Sequence, residues 1–95
     1  MAISRAAAEY GSALGDEQVT VSTVAIGITA ASGAVAAMVT NGAEPVRVRW
    51  GTPTASVGHY LNPYSVLDLF QDDMGDVKFI RVGGSDSVIY VTYFG

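Results

Sequence analysis

Cysteine is absent from this 95-residue chain. That excludes a disulfide framework, thiol catalysis and cysteine-ligated zinc. Charge is scarce: five Lys and Arg against nine Asp and Glu make up 15% of the residues and leave a formal charge of −4. Soluble domains carry about 25% charged residues. With so few cations, all outnumbered by carboxylates, there is no basic footprint for nucleic acid, and direct polynucleotide binding is not expected. Histidine occurs once, at His59, and no G-x-S-x-G elbow is present. A nucleophile activated by a paired base therefore has little to draw on, and no catalytic residue, cofactor site or enzymatic activity is expected. Amphipathic segments of helical length are also missing.

Hydrophobic residues, by contrast, reach 49%. The chain has one domain's length, so its core must be apolar packing alone or packing shared with another chain. A small domain short of ionised side chains can be solvated by Ser, Thr, Asn and Gly, or it can lay part of its surface against other subunits. The second reading is preferred here, and it makes a homo-oligomer the expected state.

Residues 1–15, MAISRAAAEYGSALG, are interrupted by Arg5 and Glu9, so they do not form the apolar core of a secretory signal. Gly11 and Gly15 limit any helix there, and 1–18 is expected to be an N-terminal arm preceding a domain over 19–95. No charge occurs in the 26 residues from Gln18 to Ala43. The stretch is long enough to span a bilayer, but it is rich in Ala, Gly, Ser and Thr and lacks aromatic or basic flanks, so no membrane association is expected. It reads as strands over 19–28 and 34–40 separated by Ala31-Ser32-Gly33, with Asn41-Gly42 as a hairpin turn.

Further on, 45–50 alternates strictly, placing Val46, Val48 and Trp50 on one face and Arg47 and Arg49 on the other. Short strands follow over 58–61 and 64–70. The acidic break Gln71-Asp72-Asp73-Met74-Gly75-Asp76 cannot continue a strand. Two last strands, 77–82 and 87–94, are predicted as a hairpin through Gly83-Gly84-Ser85-Asp86. The final strand is apolar on both faces and requires cover on both. Seven or eight short strands at about ten-residue spacing with Gly, Pro and Asn punctuation define an all-β class, a compact antiparallel sandwich or barrel.

Asp72, Asp73 and Asp76, with Asp68 nearby, invite a hard-cation hypothesis, but the spacing lacks the alternate-residue ligands and terminal glutamate of a calcium loop. No metal site is expected; the loop reads as a solvated acidic turn. Arg47 and Arg49 share one strand face, which reads either as a solvated face or as the place for intersubunit pairing with an acidic loop such as Asp72, Asp73 and Asp76. His59 reads as an interfacial or partly buried hydrogen-bonding group. Trp50, Tyr60, Tyr64, Phe70, Tyr90, Tyr93 and Phe94 are the large anchors, mostly core, with one or two left for an interface or a carbohydrate-stacking surface. The candidate interface set is Arg47, Arg49, Trp50, His59, Tyr60, Asp72, Asp73 and Asp76.

The run Pro45-Val46-Arg47-Val48-Arg49-Trp50-Gly51-Thr52-Pro53-Thr54-Ala55-Ser56-Val57-Gly58-His59-Tyr60-Leu61, followed by Val77-Lys78-Phe79-Ile80-Arg81 and Ile89-Tyr90-Val91-Thr92-Tyr93-Phe94, resembles small virion proteins of tailed bacteriophages. The likeness covers roughly 19–94, with Trp50-Gly51 standing where an acidic residue before glycine is commoner. It implies a jelly-roll-like sandwich without catalytic residues, located in the virion and assembled in the host cytoplasm. The implied role is a capsid decoration or cement protein, as a homo-oligomer with a trimer favoured, whose partners are the major capsid protein or other virion proteins. The alternative it leaves is a tail, collar or fibre subunit that binds a host glycan or another tail protein.

Overall fold

The computed structural model describes residues 12–95. Eight strands follow in order: β1 (Ala13–Val21), β2 (Ile26–Gly27), β3 (Ala36–Thr40), β4 (Val46–Trp50), β5 (His59–Leu61), β6 (Val66–Phe70), β7 (Val77–Arg81) and β8 (Ser87–Phe94). They form two four-stranded antiparallel sheets, β1-β8-β3-β6 (sheet one) and β2-β7-β4-β5 (sheet two), packed as a sandwich. Four of the pairings, β1 with β8, β2 with β7, β3 with β6 and β4 with β5, are nested like the two arms of one long hairpin rolled up on itself. That is the jelly-roll order, and it leaves only β4–β5 as a hairpin between consecutive strands.

The core lies between the sheets and is built by alternation. Val19 and Val21 of β1, Ala37 and Val39 of β3, Val46 and Val48 of β4, Leu69 of β6, Phe79 of β7, and Ile89, Val91 and Tyr93 of β8 point inward and are buried. At about 25 cal/mol per Å² of apolar surface removed from water, this set is the main stabilising term in a chain with no disulfide. Phe94 points the other way. With Ala36, Met38 and Phe70 it forms a second, smaller apolar cluster on the outer side of sheet one.

Several expectations change. The first strand starts at Ala13 rather than at residue 19, and it ends at Val21; the predicted strand over 19–28 is cut in two because β2 belongs to the opposite sheet. Of the arm expected over 1–18, residues 1–11 lie outside the described residues, whereas 13–18 pair with β8. The stretch read as a possible span, 18–43, is divided among β1, β2 and β3, and no helix among the described residues is long and apolar enough to cross a membrane.

Neither Asn41-Gly42 nor Gly83-Gly84-Ser85-Asp86 closes a hairpin, because β3 and β4, like β7 and β8, lie in different sheets. Asn41 is instead a buried junction between crossovers. Its Nδ2 donates to the carbonyls of Glu44 (2.8 Å), Leu61 (3.2 Å) and Asn62 (3.1 Å), and its Oδ1 accepts from Ser87 Oγ at 2.9 Å. Gly42 is required there by space rather than by turn geometry: a Cβ would sit 2.5 Å from the Val88 carbonyl oxygen.

Candidate interaction surface

Sheet two positions most of the candidate interface residues. In the β4–β5 hairpin the chain leaves β4 through Gly51 and re-enters at Gly58, whose φ of 135° strains any other residue and where a Cβ would sit a tight 3.1 Å from the Val48 carbonyl oxygen. The hairpin is held by Arg47, which donates from Nε to the Ala55 carbonyl at 2.9 Å and from Nη1 to the Gly58 carbonyl at 3.0 Å. Its guanidinium also lies 5.4 Å from the centroid of the Tyr60 ring, within cation–π range. Arg49 is exposed and donates from Nη1 to the Thr52 carbonyl at 3.3 Å.

Trp50, a member of the candidate interface set, shares a strand face with Val46 and Val48. It is, however, the last residue of β4 and is 45% exposed. Its indole N–H reaches Asp73 Oδ1 at 3.0 Å, and the His59 ring meets it edge-on at 5.9 Å between centroids. Asp73 also caps the loop, its Oδ2 accepting from Phe70 N at 3.2 Å. Trp50, His59 and Asp73 are thus brought together, as are Arg47 and Tyr60. Asp72 and Asp76 project to solvent, and Asp72 and Asp73 border a shallow open depression with Val35, Phe70 and Gln71. No group of three or more His, Cys, Asp or Glu among the described residues is gathered as a metal ion would need.

The aromatic anchors divide differently from the expectation of a mostly buried set. Tyr93 and Phe94 are buried and Phe70 half-buried, whereas Trp50, Tyr60, Tyr64 and Tyr90 are 45 to 71% exposed. On the outer face of sheet one, Tyr90 and Val66 flank Thr40 in register, and Val88 is the next outward residue of β8; Val66, Val88 and Tyr90 are each close to half exposed. The apolar outer side of β8 is therefore only partly covered. Tyr64, 71% exposed, carries a φ of 62° that side-chain-bearing residues rarely adopt.

Two features were not anticipated from sequence. Glu17 of β1 fastens the β2–β3 crossover: Oε1 accepts from Thr29 N at 2.8 Å and from the Tyr93 hydroxyl, and Oε2 accepts from Thr29 Oγ1 at 2.6 Å. Ala30, with φ of 55°, donates its N–H to the same Tyr93 oxygen at 3.1 Å. Partial burial alone raises the Glu17 carboxyl, but the hydrogen bonds from Thr29 and Tyr93 outweigh it and hold the group below its ordinary value. Burial, and then the facing carboxylate, push the Tyr93 phenol well above its usual range.

The second feature is a division of charge. The strands of sheet two contain Arg47, Arg49, Lys78 and Arg81 and no carboxylate. Those of sheet one contain Asp16, Glu17 and Asp68 and no Lys or Arg. The signal lay in the strand sequences, but it is unreadable until each strand is assigned to a sheet.

No family model, no curated protein and no solved structure matches this chain.

Proposed function

We propose that this protein is a non-enzymatic structural component of a bacteriophage virion, a capsid decoration or cement protein that binds and stabilises the assembled shell as a homo-oligomer, with a trimer at a local threefold position favoured. The observation that carries the reading is the exposure of Trp50, Tyr60, Tyr64, Val66, Val88 and Tyr90, each at least 45%, on a chain with only 15% charged residues. A surface of this kind gains by being covered. The sequence resemblance supplies the virion setting, and the eight-stranded sandwich agrees with the jelly-roll-like domain it implies.

The mechanism is mechanical. Each copy bridges neighbouring shell subunits, burying apolar area at about 25 cal/mol per Å², so that expansion or internal pressure must break several contacts at once. The test is to mix the purified protein with undecorated shells and follow heat-induced rupture. Binding with a raised rupture temperature is expected; shells that neither bind the protein nor change their rupture temperature overturn the reading.

One observation favours a second reading, a tail, collar or fibre subunit that binds a host glycan or another tail protein. Tyr64 holds an aromatic ring out to solvent on a strained backbone, an arrangement suited to stacking on a sugar. Glycan-array binding abolished by Tyr64→Ala, together with few copies per particle, would favour it over decoration.

A further inference from the structure

The cationic face of sheet two is unbalanced within its own chain. Arg49 and Lys78 stand directly opposite each other across β4 and β7, and both are exposed. Like charges in that position repel. Arg47, on the same face, is pinned by two carbonyls and the Tyr60 ring, so the free part of its fork is held in a fixed orientation. Arg81 is neutralised by Asp86 at 2.7 Å, the salt bridge among the described residues.

The β6–β7 loop is the converse. Asp73 is turned inward to Trp50 and the Phe70 N–H, which shapes the loop and leaves Asp72 and Asp76 outermost. The Asp76 carbonyl accepts from Gly51 N at 3.0 Å, so the loop is anchored beside the end of β4. Its carboxylates nevertheless form no ion pair with Arg47, Arg49 or Lys78 of their own chain.

We infer that the outer face of sheet two is the docking surface for the β6–β7 loop of a second copy, with Asp72 and Asp76 of one copy set against Arg49 and Lys78 of the next. A carboxylate entering between two facing cations relieves their repulsion, and charge complementarity fixes the register of the contact. Unlike patches of this kind pair reciprocally across a two-fold axis or head-to-tail, and either arrangement makes the same Asp72 and Asp76 to Arg49 and Lys78 contact. The inference rests on reading the chain as a self-associating subunit, and it names the surfaces involved.

The experiment is sedimentation velocity on the full chain at low and high salt, with two charge-reversed variants, Arg49→Glu/Lys78→Glu and Asp72→Lys/Asp76→Lys. The wild type is expected to associate less at high salt. Each variant alone should associate at least about tenfold more weakly, and an equimolar mixture should recover assemblies containing both. Should reversal unfold the chain, as read by circular dichroism, Arg49→Gln/Lys78→Gln keeps the packing stems and should still weaken association.

A wild type that stays monomeric at all concentrations, a mixture that fails to recover association, or a loop variant that associates like the wild type overturns this contact. Shell binding separates the two proposals. A chain that binds shells while the mixture stays apart overturns the contact and leaves decoration standing. A mixture that assembles but leaves shells bare supports the contact and counts against decoration.

Discussion

Trp50 donates its indole N–H to Asp73 Oδ1 at 3.0 Å, joining the end of β4 to the β6–β7 loop across 23 positions of sequence. Asp73→Ala removes this acceptor and the loop's bond to Phe70 N. Because the Trp50 side is partly solvated, the expected loss is about 1 to 2 kcal/mol, read as a lower urea midpoint. Trp50 is the sole tryptophan, so its emission should also shift. An unchanged spectrum and midpoint would show the bond to be absent in solution.

Asn41 is 1% exposed and uses its amide on three carbonyls and a hydroxyl. Asn41→Ala removes a partner from three partly buried carbonyls and from the buried Ser87 hydroxyl and should cost about 2 to 4 kcal/mol. Ser87→Ala removes one of the bonds and should cost about 1 kcal/mol. Thermal unfolding of both variants checks the ranking.

Glu17 titrates below its ordinary value in the folded chain, so its ionised form contributes stability that is fully present above the unfolded carboxylate pKa of about 4.3 and is lost as pH falls through the lower folded value. Glu17→Gln should flatten that part of the acid limb. It should also lower stability at neutral pH, because the amide is a weaker acceptor for Thr29 and Tyr93. Denaturant midpoints of both proteins from neutral pH to about pH 3 measure the difference.

Tyr64 has the opposite sign. At φ of 62° a tyrosine is strained by roughly 1 kcal/mol, so Tyr64→Asn, which tolerates that conformation, should raise the melting temperature. If the exposed ring contacts a partner, the same variant should bind that partner more weakly. Melting and shell-binding assays on one preparation separate the two effects.

Much of the strand pattern is legible because it is local. Alternation in Val46-Arg47-Val48-Arg49 places the valines in the core and the arginines outside from the two-residue repeat alone. Trp50 has the same parity as the valines but is 45% exposed, its indole N–H turned to Asp73 of the β6–β7 loop, a partner the two-residue repeat does not reveal. Asn41-Gly42 misleads for another reason. The dipeptide accepts hairpin geometry, but its use is decided by where β4 goes, and that depends on pairing with β5 and β7 far along the chain. The division of charge between sheets is hidden in the same way: Arg49 and Lys78 are 29 positions apart in sequence yet face each other in register.

The chain by itself determined an all-β domain without disulfides, its strand positions from β3 onward and the inward-facing valines of β4, since these follow from composition and a repeat of two residues. Only tertiary structure decided that consecutive strands mostly change sheets, that cations and carboxylates are parted between the two sheets, and that Glu17 and Asn41 are structural junctions. Those properties depend on non-local pairing, where hydrogen-bond registry and burial of the shared core, rather than any short stretch of sequence, select the neighbour of each strand.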